Sequence, residues 1–157
     1  MHVDMSAGAC VLTFAAHGEY VIRCHGRVAR IDAWGPWNTE RTLEYAQRLH
    51  TCIAAMPAPF ALLAISHVQP ILSPEAEAIL RLNVRERVRL GCKAQATVLL
   101  DPSTERVALA QYRHVYVPEG MHHAFFHNVE KAVVWLLDAG FVDAWFLRAQ
   151  PDAQDAA

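Results

Sequence analysis

No charge of one sign dominates this chain, and that absence narrows its partners first. Lys and Arg total 14 against 16 Asp and Glu, a formal charge of −2 at pH 7. There is no global pull toward nucleic acid or an anionic membrane. Cysteine is sparse: Cys10, Cys24, Cys52 and Cys92 are scattered, with no C-x-x-C pair. This excludes a disulfide scaffold and reads as reduced packing thiols in a reducing compartment. The 7 glycines are dispersed and form no phosphate-cradling loop. Long hydrophobic runs are missing too. The apolar stretch "ACVLTFAA" is short, has no basic leader and is cut by His17-Gly18-Glu19, so neither a signal peptide nor a membrane span is expected and the chain reads as cytoplasmic. Catalytic signatures fail in the same way. There is no H-E-x-x-H, no Cys/His zinc spacing, no G-x-S-x-G elbow and no paired carboxylates at a plausible site. Ser66 and His67 are neighbours, which rarely gives a nucleophile its base. The sequence therefore predicts no catalytic residue, no metal and no cofactor.

What is present suits one ordinary domain. The 157 residues, 54% hydrophobic, suffice for a core without staples. Period-2 patterning between Gly-containing turns predicts antiparallel strands at Cys10–Ala16, Glu19–Cys24 and Arg27–Ala33. The joint "WGPWN" (Trp34–Asn38) then changes the period. Leu43, Ala46, Leu49, Ile53 and Met56 fall on one helical face between Asn38, a natural N-cap, and the stop at Pro57 and Pro59. "FALLAIS" (Phe60–Ser66) is the continuous apolar run of a strand covered on both faces. A second helix has Ser73 as N-cap, Pro74 in its first turn and Gly91 at its exit. Lys93–Leu100 reads as a strand, a short helix follows from Asp101-Pro102 to about Tyr112, and His122–His127 is a strand. Asn128 caps a last helix carrying Ala132, Val133, Leu136 and Leu137. The pattern predicts an α/β sandwich, its sheet mostly parallel with an antiparallel N-terminal edge, flanked by about four helices.

Several of these segments, in order, resemble the SpoIIAA-like branch of the bacterial STAS superfamily: "GPWN" (Gly35–Asn38), "SPEAEAIL" (Ser73–Leu80), Gln111 in the third helix and "AFFHNVEKAVVWL" (Ala124–Leu136). The likeness spans about Glu19 to Leu137. It implies a single domain over residues 1–157, with a core at about 19–137. Residues 1–18 would add an extra strand, and 138–157 an extension whose end frays. Better-known STAS members antagonise anti-sigma factors by docking a partner beside the second helix, which opens with a phosphorylated serine. Here the resemblance breaks. Ala64 stands at the strand-end Asp position, and Leu72, Ser73, Pro74 and Glu75 stand at the helix opening. Pro74, at the acceptor position, has no hydroxyl. Ser73 is committed as an N-cap, and Glu75 would repel a phosphate.

Candidate binding residues follow. Arg81, Arg85 and Arg89 recur every fourth position as a basic stripe, with Glu77 and Glu86 spaced to support it. With Ser66, His67 and Ser73 they form the partner-binding surface the resemblance implies. Alternatively, Trp34 and Trp37 wall a groove for a small apolar or anionic ligand at the sheet end. As a joint, the same motif uses Gly35 for an unusual backbone conformation and Asn38 as cap. His122 points away from His123 and His127, which would stand ~13 Å apart at ~3.3 Å per residue, too far for one ion. Phe141, Trp145 and Phe146 are large apolar groups that either cap the core or join a second copy; a homodimer is expected from them. The expected function is non-enzymatic contact with a protein partner, with ligand carriage or sensing as the alternative.

Overall fold

The computed structural model describes residues 2–4, 11–13, 17–68, 71–116 and 120–149. Cys10, Phe14–Ala16 and the expected fraying at Pro151–Ala157 lie outside the described residues. The elements are β1 (His2–Asp4), β2 (Val11–Thr13), β3 (Glu19–His25), β4 (Val28–Trp34), α1 (Thr39–Ala54), β5 (Phe60–Val68), α2 (Pro74–Leu90), β6 (Cys92–Leu99), α3 (Glu105–Tyr116), β7 (His122–Phe126), α4 (Val129–Asp138) and a 3-10 helix (Val142–Ala149). This is the expected α/β sandwich. A five-stranded sheet runs in the order β3-β4-β5-β6-β7, with β3 antiparallel on the edge and the rest parallel. The expected meander differs at its start: β2 pairs with β1 in a separate two-stranded sheet.

Sequential strand order decides where the helices go. Each parallel crossover steps the same way across the sheet, and right-handed crossovers then put α1, α2 and α3 on one face. On that face Tyr45, Leu49 and Ile53 of α1 and Ala76, Leu80 and Val84 of α2 pack on Ala29, Ile31 and Leu62. The opposite face carries Val28, Leu63, Ile65, Ala96 and Val98, and α4 with the 3-10 helix covers it. Buried on both sides, β5 is apolar throughout Phe60–Ile65.

The caps form as the residue types dictate. Asn38, Ser73 and Asn128 accept from the backbone N–H of Arg41, Ala76 and Lys131. Gly91 ends α2 at φ +114°, which suits glycine. The third helix begins later than expected, at Glu105, because the Asp101 carboxylate accepts from both the N–H and the hydroxyl of Ser103 and holds a turn there. In α1 the buried side chains are Thr42, Tyr45, Leu49 and Ile53, while Leu43 is 47% exposed. Thr42 tolerates burial because its hydroxyl donates to the Asn38 carbonyl at 2.9 Å.

Candidate functional site: an aromatic cavity at the sheet end

A cavity of about 60 Å³ lies at the carboxyl end of β4 and β5, beneath α1, α2 and α3. Ile31, Ala33, Ala64 and Ile65 line its sheet side, and Trp37, Tyr45, Tyr112 and Tyr116 supply aromatic walls. Leu72 and Leu80 close it from α2 and the loop before it. Ser66 and Thr97 add hydroxyls, and the exposed Val68 and Ile71 form its mouth. Burial pushes the Tyr45 phenol up to about 12 and also raises Tyr112, so both are neutral hydrogen-bonding groups at pH 7.

The "WGPWN" joint builds one wall. Trp37 packs edge-on to Tyr20 at 5.7 Å and tilted against Tyr45 at 4.8 Å. Its indole N–H is shared between the carbonyls of Trp34 (3.1 Å) and Glu19 (3.2 Å). Gly18, at φ +90°, lets the chain pass against this ring: a Cβ there would sit 2.2 Å from Trp37 Cδ1. Asn38 caps α1 and also accepts from His17 N–H at 3.1 Å, tying the turn before β3 to the joint. Gly35 has no positive φ; it lines the cavity, and its N–H donates to the Val68 carbonyl at 2.8 Å. The expected groove between two indoles does not form. Trp34 turns to the other face and stacks on His67 at 4.5 Å, because positions 28 to 34 alternate across β4.

Opposite the cavity, that alternation gathers a charged cluster. Arg30 grips Asp32 through two hydrogen bonds, 2.7 and 3.1 Å, and donates a third to the Leu147 carbonyl. His67 Nε2 reaches the same carboxylate at 2.8 Å. Burial alone would raise the Asp32 carboxyl; the hydrogen bonds from His67 and Arg30 outweigh it and hold it below the usual range.

A polar relay stands behind the cavity. Arg87 of α2 is fully buried and donates to the amide oxygens of Asn83 and, at 2.6 Å, Gln95. The Gln95 amide donates to Thr97 Oγ1 at 3.2 Å, and that oxygen lies 2.9 Å from His123 Nε2. Burial, aided by Arg87, lowers His123 to about 4, so its ring is neutral at pH 7.

The residues expected to meet a partner do not form one surface. Ser66 is buried in the cavity wall and His67 faces the other side, as neighbours on a strand must. Ser73 Oγ accepts from Ala76 N–H at 3.2 Å. On α2, Arg81 pairs with Glu77 at 2.8 Å and Arg89 with Glu86, as their spacing predicted; Arg85 is exposed. Gln111 acts elsewhere, clamping both the N–H and the carbonyl of Leu72 at 3.0 and 2.7 Å, so that α3 fixes the loop before α2.

The three strand-end histidines separate. His122 packs on Trp135, His123 stacks on Tyr116, and His127 meets Glu105 at 3.2 Å. Among the described residues no group of three His, Cys, Asp or Glu is arranged to hold a metal ion, and no helix is long and apolar enough to cross a membrane. Of the aromatic groups expected at a dimer interface, Phe141 and Phe146 are buried in the chain's own second core. Only Trp145 stays outside, 59% exposed. The α4 helix is too short to cover the sheet alone, and the 3-10 helix completes the layer. Compared with known proteins, the chain matches no family model and no curated protein.

Sequence reasoning missed Arg87, Gln95, Thr97 and the three tyrosines. A signal existed: Arg87 lies at the helical spacing of Ala76, Leu80 and Val84, in phase with the buried face rather than with Arg81, Arg85 and Arg89.

Proposed function

We propose that this chain is a non-enzymatic, STAS-like domain that senses or carries a small molecule in the cavity beneath Trp37. The cavity itself carries this reading: it is concave, mostly apolar, and bears a few convergent hydroxyls at the end of a sheet, the usual character of a ligand site. Its lining includes Leu72 and Leu80, so occupancy bears directly on the loop that Gln111 clamps and on the start of α2. At roughly 10–15 Å³ per water-sized volume, the space suits about four to six non-hydrogen atoms. With a ceiling near 1.5 kcal/mol per atom for very small ligands, binding is limited to roughly 6–9 kcal/mol, so titrations must extend from micromolar to millimolar.

The test is intrinsic fluorescence with a library of compounds of that size, using Trp37→Phe to assign the signal and native mass spectrometry of freshly purified protein to detect a retained mass. Ala64→Leu, which projects three added carbons into the space, should abolish the response while leaving the fold intact. No spectral response across the library and no retained mass would defeat the reading.

A second reading, docking of a protein partner on α2, is favoured by Leu82, an apolar side chain 63% exposed between Arg81 and Arg85. Charge reversal at Arg81 and Arg85 should then weaken partner capture with little change in Tm. Undiminished capture would count against it.

A further inference from the structure

Among the described residues, the cation behind the cavity has no counter-charge. Arg87 is 0% exposed, and a guanidinium cannot shed its proton to relieve burial. Among the described residues its partners are the amide oxygens of Asn83 and Gln95 and the neutral Tyr45 hydroxyl, none of them a carboxylate. Its Nε is buried with no partner at all. Buried charges are ordinarily paired, because amide dipoles replace only part of the lost hydration.

The polarity of the relay gives that charge a direction. Arg87 donates to Gln95 Oε1, which fixes the Gln95 amide so that its Nε2 donates onward to Thr97 Oγ1. Thr97 lines the cavity. Its oxygen also meets His123 Nε2 at 2.9 Å. With the His123 proton on Nε2, that ring donates to Thr97 as well. The Thr97 oxygen then accepts twice, and its own hydrogen is free to donate into the cavity. In that tautomer donors run head to tail from a buried cation to the cavity wall, each polarising the next. Tyr45, whose hydroxyl interacts with Arg87, lines the same space.

We infer that the cavity takes a short-chain carboxylate, its carboxylate at Thr97 and Tyr45 and its alkyl chain toward Trp37 and Ile71. The ligand supplies the negative charge that Arg87 lacks, through the Gln95 amide and Thr97 hydroxyl and through the Tyr45 hydroxyl rather than by direct contact, and the apolar lining receives the chain. This inference rests on the cavity being a ligand site.

Butyrate and butyramide have the same shape and the same number of non-hydrogen atoms and differ in charge. Titrated at constant ionic strength and followed by tryptophan fluorescence and calorimetry, butyrate should bind the wild-type protein at least about tenfold more tightly, the usual advantage of a hydrogen bond to a charged group. Thr97→Val cuts the last donor and Arg87→Met removes the charge. Each should bring the two ligands within about twofold of one another while butyramide binding persists. If Arg87→Met does not fold, the wild-type ratio and Thr97→Val decide. Butyramide binding as well as butyrate in the wild type would overturn the carboxylate assignment and leave the cavity reading standing. Binding of neither at tens of millimolar would overturn the carboxylate assignment, and with a silent library and no retained mass the cavity reading as well.

Discussion

Two arginines are buried beneath one sheet, on opposite faces, and their surroundings treat them differently. On the face covered by α4 and the 3-10 helix, Arg30 is held by the Asp32 carboxylate, which His67 also engages under the Trp34 ring. On the face covered by α1, α2 and α3, Arg87 meets amides and a phenol. The first face is closed, with its charge balanced by its own residues. The second has an aromatic cavity and a cation that, among the described residues, has no carboxylate opposite it. One sheet thus separates a side organised for stability from a side with room and charge for something else.

The largest effect should come from unbalancing the closed face. Asp32→Ala leaves the Arg30 guanidinium, 8% exposed, without its counter-charge and strands the His67 ring. Removing one partner of a buried pair costs about 3–5 kcal/mol, and a drop of that size is expected in urea unfolding. Replacing both members together, Arg30→Met with Asp32→Leu, should recover most of it. A loss below about 1 kcal/mol from Asp32→Ala would mean that Arg30 needs its carboxylate no more than Arg87 does, and the contrast would fail.

Acid should then separate the two faces in sequence. On the cavity face, burial and Arg87 hold His123 at about 4, against about 6.5 in an unfolded chain. A folded value below the unfolded one means that protonation favours unfolding. The His123 contribution is complete above pH ~6.5 and drains as pH falls toward about 4, a loss on the order of 3 kcal/mol. Asp32 is also depressed, so its contribution is complete above ~3.9 and disappears only as pH falls through its lower folded value. Unfolding midpoints at pH 7.5, 4 and 2.5 should show two stages. His123→Gln should erase the first and spare the second. If it spared the first, the neutral relay behind the cavity would be wrong.

The helix ends and the doubly covered strand β5 were legible in the sequence because their causes are local. Asn38, Ser73 and Asn128 cap through bonds reaching three residues, Gly91 ends α2 by its own backbone, and the run Phe60–Ile65 is apolar because both its faces are covered. The cavity was not legible because its walls come from β4, α1, β5, α2, β6 and α3 and meet only in the fold. Leu43 looked like core and is exposed, whereas Tyr45 and Thr42 took the inner face, each with a partner for its hydroxyl. The Trp pair misled for a related reason. Three residues apart across a strand end, Trp34 and Trp37 look like two walls of one groove, yet the strand's alternation sends the first to His67 and the helix start sends the second to Tyr45.

The smallest expected effect tests whether the closed face is complete in a single chain. Phe141, Phe146 and Leu147 reach the second core, so the 3-10 helix seals the sheet beside α4 from within, and Asp143 anchors it by accepting from the Arg27 N–H at 3.1 Å. Trp145 lies outside this seal, 59% exposed, with an edge contact to His25 at 6.3 Å. More than half of its surface is already in water, so Trp145→Ala should cost only about 1 kcal/mol. Phe146→Ala, one position on, should cost about 3–5 kcal/mol. If a second copy completed the face, Trp145 would be buried between chains. Its loss would then lower Tm by an amount that grows with protein concentration, and sedimentation would show the dimer dissociating. A small effect independent of concentration keeps the closed face the work of one chain.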